Sequence, residues 1–180
     1  MTPKPVTSLG YALLGLIRQQ PRTGYALRKV FETTPMGSYS SSPGSIYPAL
    51  AGLERLGLIE ARDDGDDRKA RGKGLFHLTP AGSAAFGAWL AGPVDGKDLT
   101  TAMLRFSFLR AGSDRALIDA FLDSFEAAAT QQAGGLRQFL AGEIGRAMPL
   151  QSRLAVEYGC RQFEAGAQWA VWAKTVLRGD

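Results

Sequence analysis

Two short stretches of this 180-residue chain hold its most concentrated binding chemistry. The first is Ser42-Pro-Gly-Ser-Ile-Tyr-Pro-Ala-Leu-Ala-Gly-Leu-Glu-Arg-Leu56. It places the hydroxyls of Ser42, Ser45 and Tyr47 near a helix start and Arg55 near its end, with Pro48 between. The second places Arg68, Lys69, Arg71 and Lys73 within six residues. Hydroxyls at a helix N-terminus suit phosphate oxygens, and clustered cations neutralise phosphates. Bond-making chemistry is harder to assemble. With one His and one Cys, neither a usual catalytic triad nor a usual zinc site has its ligands. His77 sits in an alternating strand pattern, opposite to Phe76 and Leu78 and facing solvent, and Cys160 sits inside an apolar helix as a packing residue. Asp63, Asp64, Asp66 and Asp67 lack the spacing of a calcium loop. Gly72-Lys-Gly74 opens like a dinucleotide fingerprint, but its third glycine position is His77 and no helix follows.

The elements that must position those groups follow from periodicity and punctuation. Thr7 or Ser8 caps a first helix, with Leu9, Leu13, Leu16 and Ile17 on its apolar face, and Gln19-Gln-Pro21 ends it. Thr23 caps a second helix, Gly24 to about Thr33. A Gly- and Ser-rich turn follows, and then a third helix with Ile46, Leu50, Leu53 and Leu56 inward and small or flat side chains outward. Its start is ambiguous, because Pro48 falls in the second turn if Ser42 is the cap and in the first turn if Ser45 is. The earlier start, with a local distortion, is preferred. Leu58–Arg62 and Gly74–Thr79 read as a hairpin with a long polar tip, and Thr79-Pro80 opens a fourth helix to about Leu90. Ala91–Lys97 reads as a linker between residues 1–92 and 93–180. Beyond it the pattern predicts helices over Thr101–Leu109, from a Ser113 cap to about Gln132, over Leu136–Ala147, and over Leu150–Leu177, with Gly134-Gly135 as a break.

Charge divides along the same line. Residues 1–92 carry eleven basic and seven acidic residues, while residues 93–180 carry ten of each. The excess of positive charge therefore lies in the half with the phosphate-binding chemistry. No apolar run reaches membrane-span length, and Met1–Ser8 lacks the design of a secretory signal. With a single cysteine, this predicts a cytoplasmic protein without a disulfide framework.

Residues 9–90 resemble the DNA-binding domain of the PadR family of bacterial transcriptional regulators. The resemblance rests on Leu14-Gly-Leu-Ile17, Thr23-Gly-Tyr-Ala-Leu27, Gly44-Ser-Ile-Tyr-Pro-Ala-Leu50, Leu53-Glu-Arg-Leu-Gly-Leu-Ile59 and Leu78-Thr-Pro-Ala-Gly82. Residues 99–177, with Trp169 and Trp172, resemble the all-helical C-terminal domain of one branch. The resemblance implies a mainly α protein: a winged helix-turn-helix domain followed by an all-helical dimerisation domain. It implies a homodimeric repressor on double-stranded DNA with a palindromic operator, not an enzyme, with no cofactor or metal and no membrane partner. Carried onto this chain, Ser42, Ser45, Tyr47 and Pro48 start the recognition helix, Tyr25 lies near phosphates, and Arg68, Lys69, Arg71 and Lys73 belong to the wing. Tyr47 also has a second reading as a buttress for the second helix, and Tyr25 as a core residue. The chain departs from the family pattern twice. Ala51 and Gly52 stand where many members carry a cation, which leaves Arg55 as the only long cationic donor of the third helix. Sequence reading should then lean on thymine methyls and DNA shape. The wing carboxylates weaken non-specific binding and argue against deep minor-groove insertion.

In the C-terminal half, Leu154, Tyr158, Ala165, Trp169, Trp172 and Val176 form one stripe, and Leu117, Ala120, Phe121 and Phe125 another. Helix exchange between two copies would cover both, making Leu117, Phe121, Phe125, Leu154, Tyr158, Trp169, Trp172 and Val176 the dimer interface. Trp89, Trp169 and Trp172 are candidates for holding an aromatic or amphipathic small-molecule effector, against a plain packing role. The competing function is a winged-helix protein-interaction module without DNA binding.

Overall fold

A computed structural model of the chain describes residues 6–39, 43–63, 74–96, 98–110 and 114–179. The chain divides into two compact units, Met1–Trp89 and Leu90–Asp180.

The first unit is built on α1 (Ser8–Gln19), which is buried along most of its length through Leu13, Leu14, Leu16 and Ile17. Thr7 caps it, its Oγ1 accepting from Gly10 N at 3.2 Å. Thr23 caps α2 (Gly24–Thr33) in the same way, accepting from Ala26 N at 3.1 Å, and α2 turns Leu27 and Phe31 inward. A 3₁₀ turn at Pro35–Tyr39 follows. Helix α3 (Ile46–Arg55) buries Ile46, Leu50 and Leu53 against α1 and α2. Each fully buried aliphatic side chain contributes about 1.5–3 kcal/mol relative to an exposed one.

The start of α3 departs from the preferred expectation. Pro43–Ser45 forms a 3₁₀ turn and the α-helix begins only at Ile46. Ser45 takes the cap position with helical dihedrals and no side-chain cap bond. Pro48 is therefore the third helical residue, where a backbone N–H has no intrahelical acceptor, so its missing donor costs little. Ser42 lies outside the described residues.

Helix α3 ends at Gly57, whose φ of +68° is the only positive one among the described residues. Gly57 N donates to Glu54 O (2.9 Å) and Leu58 N to Leu53 O (3.0 Å), the paired bonds of a Schellman ending. The chain leaves as β1 (Ile59–Arg62), antiparallel to β2 (Leu75–Leu78), with Ile59 opposite Leu78 and Glu60 opposite His77. Phe76 N donates to Arg22 O at 2.9 Å, which ties the hairpin to the α1–α2 connection.

Thr79 joins the hairpin to α4 (Pro80–Ala91). Its Oγ1 donates to Gly57 O at 2.6 Å and accepts from Gly82 N at 3.0 Å, while its own N donates to Leu58 O at 3.1 Å. One side chain thus caps α4 and holds the end of α3. Thr79→Val keeps the shape and loses both hydroxyl bonds. It is expected to cost about 1–2 kcal/mol in urea denaturation, with the slope unchanged. On α4, Phe86 is buried and Trp89 stacks on Tyr11, with ring centroids 4.5 Å apart.

The regular elements of the second unit among its described residues are helices, with α5 (Leu99–Ser107), α6 (Arg115–Ala141), α7 (Glu143–Ala147) and α8 (Leu150–Gly179) following the end of α4. Asp98 caps α5, which begins two residues before the start read from the sequence. Gly134-Gly135 does not break α6. Two interior glycines cost about 1 kcal/mol each, but the long antiparallel contact of α6 with α8 carries the helix past them to Gly142, whose extended backbone ends it. Small buried residues, Ala129 and Ala133 on α6 and Ala170 and Ala173 on α8, sit along that contact beside the larger Ile118, Leu122 and Phe125. Phe125 lies opposite Gly166, where a Cβ would meet its ring at 3.4 Å. Arg115 Nη1 donates to Leu177 O (2.6 Å) at one end, and Arg137 reaches Glu157 and Glu164 towards the other.

Candidate nucleic-acid interface

The first unit presents the N-terminal half of α3 to solvent. Pro48, Ala51 and Arg55 are exposed, Tyr47 is 38 % exposed and Ser45 is half-buried. Tyr47 does not simply project outward. A Cβ placed on Gly24, the first residue of α2, would lie 2.9 Å from Tyr47 Cε1 and 3.5 Å from its Cδ1. One edge of the ring therefore rests on the bare start of α2 while the rest of the side chain meets solvent. The reading as a buttress and the reading as an outward contact describe two sides of one residue.

Tyr25 follows Gly24 and is 61 % exposed, so it is a surface and not a core tyrosine. Arg28, one turn on, lies over its ring at 5.6 Å and pairs with Glu32 at 3.3 Å. The partnership of Arg28 with Tyr25 was missed from the sequence, although their three-residue spacing on a helix was the available sign of it. In the hairpin, Arg62 pairs with Glu60. All four residues of β2, His77 included, are half-buried, so His77 does not stand on an open face. Arg68, Lys69, Arg71 and Lys73, like Asp64, Asp66 and Asp67, lie outside the described residues.

The C-terminal candidates separate into two sets. Phe121 and Phe125 are not on an open interface: they are buried inside their own unit. Phe121 lies 5.4 Å from Phe106 and 5.9 Å from Phe125, ring to ring. Trp169 joins the same cluster edge-on, 5.2 Å from Phe106 and 5.5 Å from Phe125. Cover for these rings comes from α5, α6 and α8 of the same chain. Leu117, Leu154, Tyr158, Trp172 and Val176 are exposed, as are Leu150 and Ala165 on the same side of α8. Trp169 is thus half-buried against that cluster, whereas Trp172 is 61 % exposed.

The second unit does contain a cavity of about 110 Å³, between Pro93 on the connection and Leu117, Phe121 and Ser124 on α6. Beside it lies the buried Arg105, which donates to Pro93 O (3.0 Å) and stands over the Phe121 ring at 4.9 Å. Desolvation lowers the Arg105 pKa. Two other groups shift the opposite way: hydrogen bonding to Glu164 raises Arg137, and hydrogen bonding to Asp123 and Glu126 raises Lys174. Among the described residues no group of His, Cys, Asp and Glu could hold a metal ion, and no helix is long and apolar enough to cross a membrane.

Three helices, a hairpin tied back to the α1–α2 connection and a fourth helix capped at its base define a winged helix-turn-helix. Residues 13–88 match the transcriptional regulator PadR-like family. That family is one of transcriptional regulators, and the match covers residues 13–88 of the chain's 180. The transcriptional regulator YqjI of Escherichia coli (strain K12) is 34 % identical over 61 residues, which is 34 % of this chain. The match spans only 30 % of that relative's length. Among solved structures, Bacillus subtilis PadR in complex with operator DNA is 22 % identical over 97 % of this chain and 99 % of its own, with a TM-score of 0.43. The same protein in complex with p-coumaric acid is 21 % identical over 95 % of this chain and 99 % of its own, with a TM-score of 0.40.

Proposed function

We propose that the chain is a homodimeric, sequence-specific DNA-binding repressor acting in the cytoplasm and released from a palindromic operator by a small-molecule effector. The observation that carries this reading is the match of residues 13–88 to the PadR-like family together with a third helix that leaves Tyr47, Pro48 and Ala51 open to solvent. In this reading α3 enters the major groove, Tyr25 and Tyr47 flank the backbone, and the wing cations meet phosphates. The dimer is supported by the outer stripe of α8. Leu150 and Val176 lie 26 residues apart, so exposed apolar side chains run for about 40 Å at the rise of an α-helix. A two-fold pair covers such a stripe with itself and offers two recognition helices to half-sites about one turn of DNA apart. The cavity beside Arg105, lined by Pro93, Leu117, Phe121 and Ser124, is the place to look for the effector.

The test is selection of duplexes from a random pool by the purified chain, followed by a salt titration. Log affinity should fall linearly with log salt, and Arg68→Ser with Lys69→Ser should flatten the slope by about 1.8 if each cation meets one phosphate. Failure to enrich any duplex would favour the protein-interaction reading, whose one support is that Arg55 is the only cation of α3.

A further inference from the structure

Gly24 has no backbone reason to be glycine. It is the first residue of α2, and its φ is not positive. Glycine also weakens a helix relative to alanine. The position is explained by what sits on it: the Tyr47 ring, with Cε1 at 2.9 Å and Cδ1 at 3.5 Å from where a Cβ would be, and Leu50 Cδ1 at 3.5 Å. The first of these separations is closer than real Cβ contacts allow, so any side chain at 24 must move something. What it would move is the half-exposed Tyr47 side chain on the second residue of α3, not a backbone atom. The fold can yield by turning that ring.

We propose that Gly24 is a positioning residue for DNA recognition. The bare first turn of α2 is the seat that fixes the Tyr47 ring, and with it the outward edge that the start of α3 presents to DNA. This rests on the regulator reading above and adds to it a role for a residue with no functional group. Three things follow. The phenol is aimed by α2 and not by α3 alone. No side chain at 24 fits without turning the Tyr47 ring off its seat. Once the ring is gone, glycine at 24 has no remaining use.

The experiment is a double-mutant cycle on the full chain, read by affinity for the duplexes that the wild-type chain selects and by thermal midpoint. Gly24→Ala is expected to weaken binding about tenfold, with a small fall in midpoint. Tyr47→Ala is expected to weaken it at least as much. In the Tyr47→Ala background, Gly24→Ala should leave affinity within about twofold and should raise the midpoint, because alanine is then the better helix former. That reversal of sign is an outcome that a merely structural glycine does not give. Tyr47→Phe keeps the ring on its seat, so Gly24→Ala should still weaken binding in that background. Equal losses from Gly24→Ala with and without the Tyr47 ring would overturn the proposal, as would wild-type affinity for Gly24→Ala itself. If the wild-type chain selects no duplex, the regulator reading fails first and this one with it. If the wild-type chain binds and the cycle is additive, only this inference fails.

Discussion

Gly82→Ala is expected to destabilise the first unit by about 3–4 kcal/mol, near the upper end for single substitutions. The cause is the opposite of the one at Gly24. A Cβ on Gly82 would run into the carbonyl oxygen of Leu58 and come within 2.8 Å of its carbonyl carbon. Those are backbone atoms held from several directions: Leu58 O accepts from Thr79 N, Leu58 N donates to Leu53 O, and Thr79 Oγ1 grips the adjacent Gly57 O. No side chain is available to rotate away. Making room means separating the end of α3 from the start of α4, which sacrifices the α4 cap and loosens the Schellman ending together. The next residue after Leu58 opens β1, so the hairpin loses its fixed base as well. Urea denaturation should show the lowered stability. Native-state hydrogen exchange should show the amides of Leu58, Phe76 and Gly82 exchanging faster as a group. A change within about 0.5 kcal/mol, the range of an ordinary surface substitution, would mean that these bonds do not hold the wing.

Much of the first unit was legible because its boundaries are local. Thr7, Thr23 and Thr79 each sit one residue before a helix and accept from a backbone N–H three residues on. Gly57 terminates α3 through a conformation that other residues rarely adopt. These are signals carried by one or two residues. The start of α3 was not legible in the same way. Ser42 and Ser45 are both plausible caps in the sequence, and the α-helix begins only after a 3₁₀ turn over Pro43–Ser45, with Ser45 at the cap position and making no side-chain cap bond.

The second unit shows a different failure. Gly134-Gly135 reads as a break because local propensity is all that the sequence displays there, whereas the seam with α8 lies twenty or more residues away in the chain. The apolar stripes were legible, but not what covers them. Phe121 and Phe125 are large and conspicuous, and their cover is their own chain. On α8 the conspicuous large residues, Leu154, Tyr158, Trp172 and Val176, are the uncovered ones. Apart from Trp169, the face turned to α6 carries mostly small residues, Gly166, Ala170 and Ala173 among them, which do not stand out in a reading weighted by hydrophobic bulk. Helix α8 is therefore two-faced: small residues with Trp169 pack within the chain, and Leu154, Tyr158, Trp172 and Val176 are left exposed.

That division makes the outer face separable from the fold. Tyr158→Lys with Trp172→Lys is expected to leave the second unit folded and to convert the proposed dimer to a monomer. Both side chains are more than 60 % exposed, at 64 % and 61 %, and neither contributes to the buried cluster around Phe125. Exposed substitutions of this kind change unfolding free energy by about 0.5 kcal/mol or less. In a two-fold pair the same two rings occur on both sides. Four buried rings at about 1.5 kcal/mol each contribute roughly 6 kcal/mol, or about four decades in the dimer constant. Ordering costs on association reduce that figure, and about three decades is a fair expectation. Operator affinity should fall by about a hundredfold or more, because a monomer loses the second half-site and the high effective concentration that linkage gives it. Lysine is the instructive choice. Two added cations favour DNA electrostatically, so a loss of affinity has to come from loss of the partner and not from repulsion. Sedimentation equilibrium reads the first effect and duplex binding at fixed salt the second. A variant that still sediments as a dimer would place the interface elsewhere. A monomer with undiminished affinity would show that one winged helix suffices, removing the need for a palindromic operator.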